Sequence, residues 1–182
     1  MQNQQTTLPS VPCRYSYEVA PLKFYAGEYP GNPNANKAKE KVAALVKFGI
    51  THFVDLTEAD ELEPYAPYLP AEIGYRRFAV ADPQLAPLDV MHAIIAHIEK
   101  LLADGECIYL HCRGGIDRTG GVVACWFAHS GMPADEALRQ YQTRWATNPK
   151  SMEIYWTPAI QLQPDYVRKF IAFEQQAGFS SY

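Results

Sequence analysis

The sequence predicts an α/β fold, a central, mostly parallel sheet flanked by helices. Three observations predict it. Short β-rich apolar runs, such as Ile50 to Leu56 and Cys107 to Leu110, alternate with longer stretches of helical period. The clearest of those stretches puts Met91, Ile94, Ile95, Ile98, Leu101 and Leu102 in one stripe, closed by Gly105. Finally, the run Cys107 to Leu110 passes through a glycine-bearing loop into a second apolar run, Val122 to Ala128, which is a strand-to-helix turn. The 182 residues divide into a loose arm over residues 1–20 and one domain over residues 21–182.

Taken in order, residues 1–20 carry Gln, Thr and Pro without an apolar period, hence the loose arm. Leu22 to Ala26 reads as a strand ended by the turn from Gly27 to Pro33. A helix follows from Asn36 to Phe48, with Val42, Leu45 and Val46 on one face and Gly49 as its stop. Ile50 to Leu56 is a central strand. Thr57-Glu58-Ala59-Asp60 has the form of a capping box and predicts a short helix ending at Pro64, with Glu58, Asp60, Glu61 and Glu63 on a solvated face or a site rim. Gly74 to Val80 is the next strand, followed by the apolar-stripe helix, the strand into the loop, and a helix to Ser130 with Gly131 as its cap. Pro133, Asp135 and Glu136 open another helix that buries Ala137, Leu138, Tyr141 and Trp145. Residues 146–164 read as irregular. Asp165 to Ala177 reads as a final helix burying Tyr166, Val167, Phe170 and Phe173.

The stretch richest in chemistry is His111-Cys112-Arg113-Gly114-Gly115-Ile116-Asp117-Arg118-Thr119-Gly120. On a strand-to-helix turn, free backbone N–H groups and the helix dipole favour an anion. Five residues between Cys112 and Arg118 are about enough to wrap one tetrahedral dianion, and glycines let the backbone approach it. The same field favours a thiolate nucleophile on Cys112, while the planar fork of Arg118 suits two phosphate oxygens. An inert buried thiol has no use for these neighbours. The candidate substrate-binding residues are therefore Arg113, Gly114, Gly115, Ile116, Asp117 and Arg118.

This H-C-x5-R-T-G loop resembles the signature of the cysteine-dependent protein tyrosine phosphatase superfamily, and the resemblance covers roughly residues 20–175. The chain is too short for the classical tyrosine-specific domain. Gln161 to Val167 also resembles the closing helix of dual-specificity members, so a compact, dual-specificity-like phosphatase is the match. The resemblance implies a phosphatase working through a cysteinyl-phosphate, with no metal and no cofactor. Cys112 is the implied nucleophile and Arg118 the phosphate grip. Asp82, 30 positions before Cys112 on a loop bracketed by Pro83 and Pro87, is the implied acid. His111 supports the loop, and Thr119 is a hydroxyl partner for the departing sulfur. Asp117 departs from the commoner glycine and resembles the D-R-T of myotubularin-like and some bacterial lipid-active phosphatases, although Ile116 stands where many of those carry Lys. Asp117 is otherwise a cap for the next helix or a brace for a basic group.

A net charge of −4 argues against a nucleic-acid-coating protein. The first seven residues lack the basic and apolar regions of a signal peptide, and no apolar run approaches the roughly 20 residues of a membrane span. The four cysteines lack zinc-site spacing, which with the missing signal predicts a reducing, cytoplasmic setting. His52, His92, His97 and His129 have no ligand-like spacing either. The expected substrate is a phosphorylated protein, with phosphotyrosine first, or a small phosphate ester. The alternative is a phosphoinositide or inositol phosphate. A non-catalytic phosphate-binding module ranks below both, because Cys112 and Arg118 are both present.

Overall fold

A computed structural model describes residues 13–154 and 158–179, without the side chains of 158–163. Five strands form one sheet: β1 (Ser16–Ala20), β2 (Phe24–Gly27), β3 (His52–Asp55), β4 (Gly74–Arg77) and β5 (Ile108–His111). Their order is β1-β2-β5-β3-β4, with β1 antiparallel to β2 and every other pairing parallel. The helices are α1 (Ala35–Phe48), α2 (Leu88–Ala103), α3 (Asp117–His129), α4 (Ala134–Trp145) and α5 (Pro158–Ala177). The mostly parallel α/β sheet is thus the one the sequence predicts.

Side-chain alternation decides how the layers form. Phe24, Ala26, Val54, Ile108 and Leu110 point into a core shared with α2, α3, α4 and α5. The intervening Tyr25, Phe53 and Tyr109 point into a second core, with Val42 and Leu45 of α1. The strands are apolar on both faces because both are covered. The predicted stripe of α2 lies against the first core, with Met91, Ile94, Ile95 and Ile98 each 0% exposed. Asn34 caps α1 by accepting from Asn36 N at 3.0 Å and Lys37 N at 3.2 Å. Gly49 ends it at φ 118°, a conformation glycine adopts freely.

Three expectations are corrected. Residues 16–20, read as part of a loose arm, form β1, because Tyr17 and Val19 alternate into the core while Ser16 packs at the sheet edge. Residues 1–12 lie outside the described residues. The capping box does not form: Thr57 N–H and Oγ1 both donate to Asp55 Oδ1, at 2.8 and 2.7 Å, which turns the hydroxyl back toward β3, and no backbone N–H among the described residues donates to it. A turn stands there instead, followed by a short 3-10 segment at Ala66–Tyr68. Helix α5 begins at Pro158 and runs through Pro164, against the expected start at Asp165. Proline inside a helix removes one hydrogen bond and crowds the preceding turn, at a cost of about 3 kcal/mol; beyond it, Val167 and Phe170 are both 0% exposed and anchor the rest of α5.

The parallel register brings the carboxyl ends of three strands together, with Gly27 and Asp55 on either side of His111. The chain leaving β5 therefore emerges in a crevice between β2 and β3. Ile98→Ala, at the centre of the α2 stripe, should lower unfolding free energy by about 2–5 kcal/mol in urea titration. A loss below about 1 kcal/mol would contradict the packing described for α2.

Candidate active site

Residues 112–116 link β5 to α3. Gly115 has φ 72°, and a Cβ on it would run into the Gly27 carbonyl and lie 2.7 Å from Glu28 N. Only glycine fits that close approach. The first hydrogen bond of α3 runs from Gly120 N to Ile116 O, which leaves the N–H groups of Asp117, Arg118 and Thr119 without intrahelical acceptors. A cleft of about 380 Å³ opens above this turn. Its lining includes Asp82, Cys112 and Arg118, together with Arg113, Gly114, Ile116 and Asp117. Gly115 lies behind, against β2. His111 and Thr119 are both 0% exposed beneath the loop.

Arg118 is held for a purpose beyond charge balance. Its Nη1 and Nη2 donate to Glu61 Oε2 and Oε1, both at 2.7 Å, and Nη1 also donates to Val80 O at 2.9 Å. The Nε edge is left over, without a hydrogen bond and 3.6 Å from Asp82 Oδ1. Burial alone would lower the Arg118 pKa, but the Glu61 hydrogen bonds and the neighbouring Asp82 reverse the effect, and the group stays charged. Those same Arg118 hydrogen bonds hold the Glu61 carboxyl below its ordinary range. Glu61 belongs to the predicted site rim, but its pairing with Arg118 escaped sequence reasoning.

His111 is supported from below. Its Nε2 lies 2.6 Å from Tyr65 Oη, and its Nδ1 lies 3.8 Å from Asp55 Oδ1. Burial lowers its pKa to about 4, so the ring is neutral near neutral pH. The distances fit a ring protonated on Nδ1 and accepting from Tyr65 at Nε2. Asp55 in turn accepts from Tyr75 Oη at 2.7 Å and Arg77 Nη2 at 3.1 Å. Burial pushes the Asp55 carboxyl up, and His111 with the Thr57 and Tyr75 hydrogen bonds more than offsets this, so it lies below the usual range.

The Asp82 side chain is 44% exposed. The rest of its loop is tethered: Leu85 packs where a Gly121 side chain would stand, and Tyr166 Oη donates to Ala86 O. At the tip, Gln84 N donates to Ala81 O at 2.8 Å and Asp82 Oδ1 faces Arg118 Nε at 3.6 Å. Asp117 is the first residue of α3 but neither caps it nor braces a base, since its buried Oδ1 has no partner. Lys150 also lines the cleft, a cation that sequence reasoning missed. His92 and His129 both lie 2.9 Å from Glu174, away from this cleft.

The crevice at the carboxyl end of β5 thus holds Cys112 from the loop and the charged Arg118 from the first turn of α3, and the protein is a phosphatase of the dual-specificity and protein tyrosine phosphatase class. The chain belongs to the family Tc-R-P, described as "Polymorphic toxin system, DSP-PTPase phosphatase", whose model matches residues 29–132, more than half of it. The viral protein 067L of Invertebrate iridescent virus 3, named for tyrosine phosphatase activity, is 31% identical over 175 residues, covering 91% of this chain and 69% of that protein. The structure resembles Tk-PTP in its active form, with TM-score 0.65 and 17% identity over 87% of this chain and 97% of that one. It also resembles PTPMT1 in complex with PI(5)P, with TM-score 0.61 and 13% identity over 87% and 97%. At these identities the two structures speak for the fold. No helix among the described residues is long and apolar enough to cross a membrane.

The His111 pKa of about 4 has a consequence for stability. In the unfolded chain a histidine takes up its proton near pH 6.5. Between about 6.5 and about 4 the unfolded state binds the extra proton, so stability falls as pH falls through this window, by up to about 3 kcal/mol. His52 and His97, also lowered by burial, act in the same direction. His111→Gln should therefore flatten the fall without abolishing it in thermal melts across that range. An unchanged slope would contradict a neutral, buried His111.

Proposed function

We propose that this phosphatase cleaves phosphate monoesters through a cysteinyl-phosphate on Cys112, with phosphotyrosyl protein as its substrate class. The observation that carries the proposal is the meeting of Cys112, Asp82 and the free Nε edge of Arg118 in one cleft. The Cys112 sulfur attacks phosphorus while Asp82 gives its proton to the departing oxygen. Water, deprotonated by Asp82, then releases phosphate and returns the sulfur. Charge on the equatorial oxygens is met by Arg118 and by the unpartnered N–H groups at the start of α3. The Thr119 hydroxyl, buried and without a hydrogen bond, is available to the leaving sulfur. The four free cysteines fit a reducing, cytoplasmic setting.

Phosphoinositide hydrolysis is the second reading. In its favour are the cleft-lining cations Arg113 and Lys150, and the likeness to PTPMT1 solved with PI(5)P. Against it stands Asp117, whose charge is unpaired among the described residues. At an effective dielectric of about 20, a like charge about 7 Å away costs about 2 kcal/mol. That cost grows with each phosphate a headgroup carries. Lys150 is moreover already paired with Glu28 at 3.1 Å.

Cys112→Ser should abolish turnover while retaining phosphate or vanadate binding, and residual activity within about tenfold of wild type would remove Cys112 as nucleophile. Asp82→Asn should lower turnover by about 10²–10⁴-fold on an alkyl or unactivated aryl ester. The loss should shrink for a leaving group that departs without a proton, and an equal loss on both would refute the acid role. A phosphate-release panel should give higher kcat/KM on phosphotyrosyl peptides than on phosphoserine peptides or phosphoinositides. A tenfold preference for any phosphoinositide would replace the protein reading with the lipid one.

A further inference from the structure

We propose that Lys150 is a positioning residue for the phosphate-binding loop, holding the Gly114 carbonyl so that the Gly115 N–H is presented to the phosphoryl group. This rests on the phosphatase reading above. Lys150 stands on the 3-10 turn Pro149–Met152 between α4 and α5, where buried Asn148 accepts its N–H at 3.0 Å. Its ammonium has three donors and three partners. It donates to Gly114 O at 3.0 Å and Glu28 Oε2 at 3.1 Å, and it lies 4.8 Å over the Tyr15 ring. The Lys150 side chain is only 17% exposed, although lysine ordinarily seeks water.

Its anchor is itself rigid. Glu28 N–H donates to Tyr15 O at 3.1 Å, Glu28 O accepts from Tyr109 Oη at 2.9 Å, and its carboxylate also faces Lys41 at 3.3 Å. The loop needs such a hold. A Cβ at Gly114 would meet only the Ile116 side chain, at 3.5 Å, so sterics alone do not fix the Gly114–Gly115 peptide. In a trans peptide the carbonyl and the following N–H point in opposite directions. Fixing Gly114 O on Lys150 therefore fixes the Gly115 N–H away from it. The Arg113 carbonyl, accepting from Tyr29 N at 3.2 Å, orients the Gly114 N–H in the same way. Neither glycine N–H donates to another group among the described residues, which leaves both for an anion.

Tyr15, Glu28 and Lys150 all lie outside residues 29–132, the part matched by the family model. The clamp is assembled from the flanks of the chain around that shared core.

The test compares wild type, Lys150→Met and Lys150→Arg in kcat/KM on p-nitrophenyl phosphate and in orthovanadate affinity, at low and high salt, with melting curves to verify folding. Lys150→Met should lose about 10- to 100-fold in both quantities together, the scale of one misaimed oxyanion donor. Lys150→Arg should recover most of it. The loss should persist at about 0.5 M salt, where a remote charge is screened. A folded Lys150→Met within threefold of wild type overturns the proposal, as does a deficit that vanishes at high salt. If Lys150→Met does not fold, Glu28→Gln replaces it, with at least a threefold loss of vanadate affinity expected and no change overturning the clamp. A wild type that hydrolyses no phosphate ester would instead overturn the phosphatase reading.

Discussion

A guanidinium taken out of water must be given partners, and Arg118 is 2% exposed. Its two terminal nitrogens are occupied by Glu61, Val80 O and Leu56 O, contributed by segments that follow β3 and β4. Those segments are where they are because β3 and β4 run parallel to β5 and end at the same edge of the sheet. The arginine thus joins the loop after β5 to the ends of its neighbouring strands. Its remaining Nε edge faces the cleft, where a phosphate would complete the set. Without Glu61, the carbonyls alone would face a buried, partly unpaired cation.

The same economy runs through the rest of the loop. Every group that shapes it is held on its far side by something that is itself held. His111 rests on Tyr65 and lies beside Asp55, which is fixed by Thr57, Tyr75 and Arg77. Gly115 lies against the backbone of Gly27 and Glu28. Electrostatic stabilisation of a phosphoryl transition state depends on donors that need not reorganise during reaction. A loop rich in glycine supplies close approach but no rigidity, so the rigidity comes from these surroundings. Asp82 is the exception. Its side chain is 44% exposed, and its contact with the set is the 3.6 Å approach to Arg118 Nε.

What the sequence made legible follows from distance along the chain. The sheet, α2 and the loop were readable because each is written in local periodicity or in a spacing of a few residues. Glu61 and Lys150 were not, because they meet Arg118 and Gly114 across separations of 57 and 36 positions. The acidic run Glu58–Glu63 reads as a solvated face or a site rim, and nothing in its pattern marks the one carboxylate that pairs with Arg118. The misread capping box has a physical origin: Thr57 is claimed by the carboxylate two residues before it, a local competitor to helix capping. Strand β1 was hidden by its polar surroundings, although Tyr17 and Val19 carry the period-two signal. In α5, the helix runs through Pro164, which local rules treat as a boundary.

The central claim is that Cys112 itself carries the phosphoryl group during turnover. Rapid acid quench of the wild-type enzyme with a phosphotyrosyl peptide, followed by mass spectrometry of the digested protein, tests this most directly. One phosphoryl group should appear on the peptide containing Cys112, should accumulate in Asp82→Asn with an activated aryl phosphate, and should be absent in Cys112→Ser. Turnover without phosphorylation of that peptide, or a phosphoryl group trapped on another residue, would contradict the account.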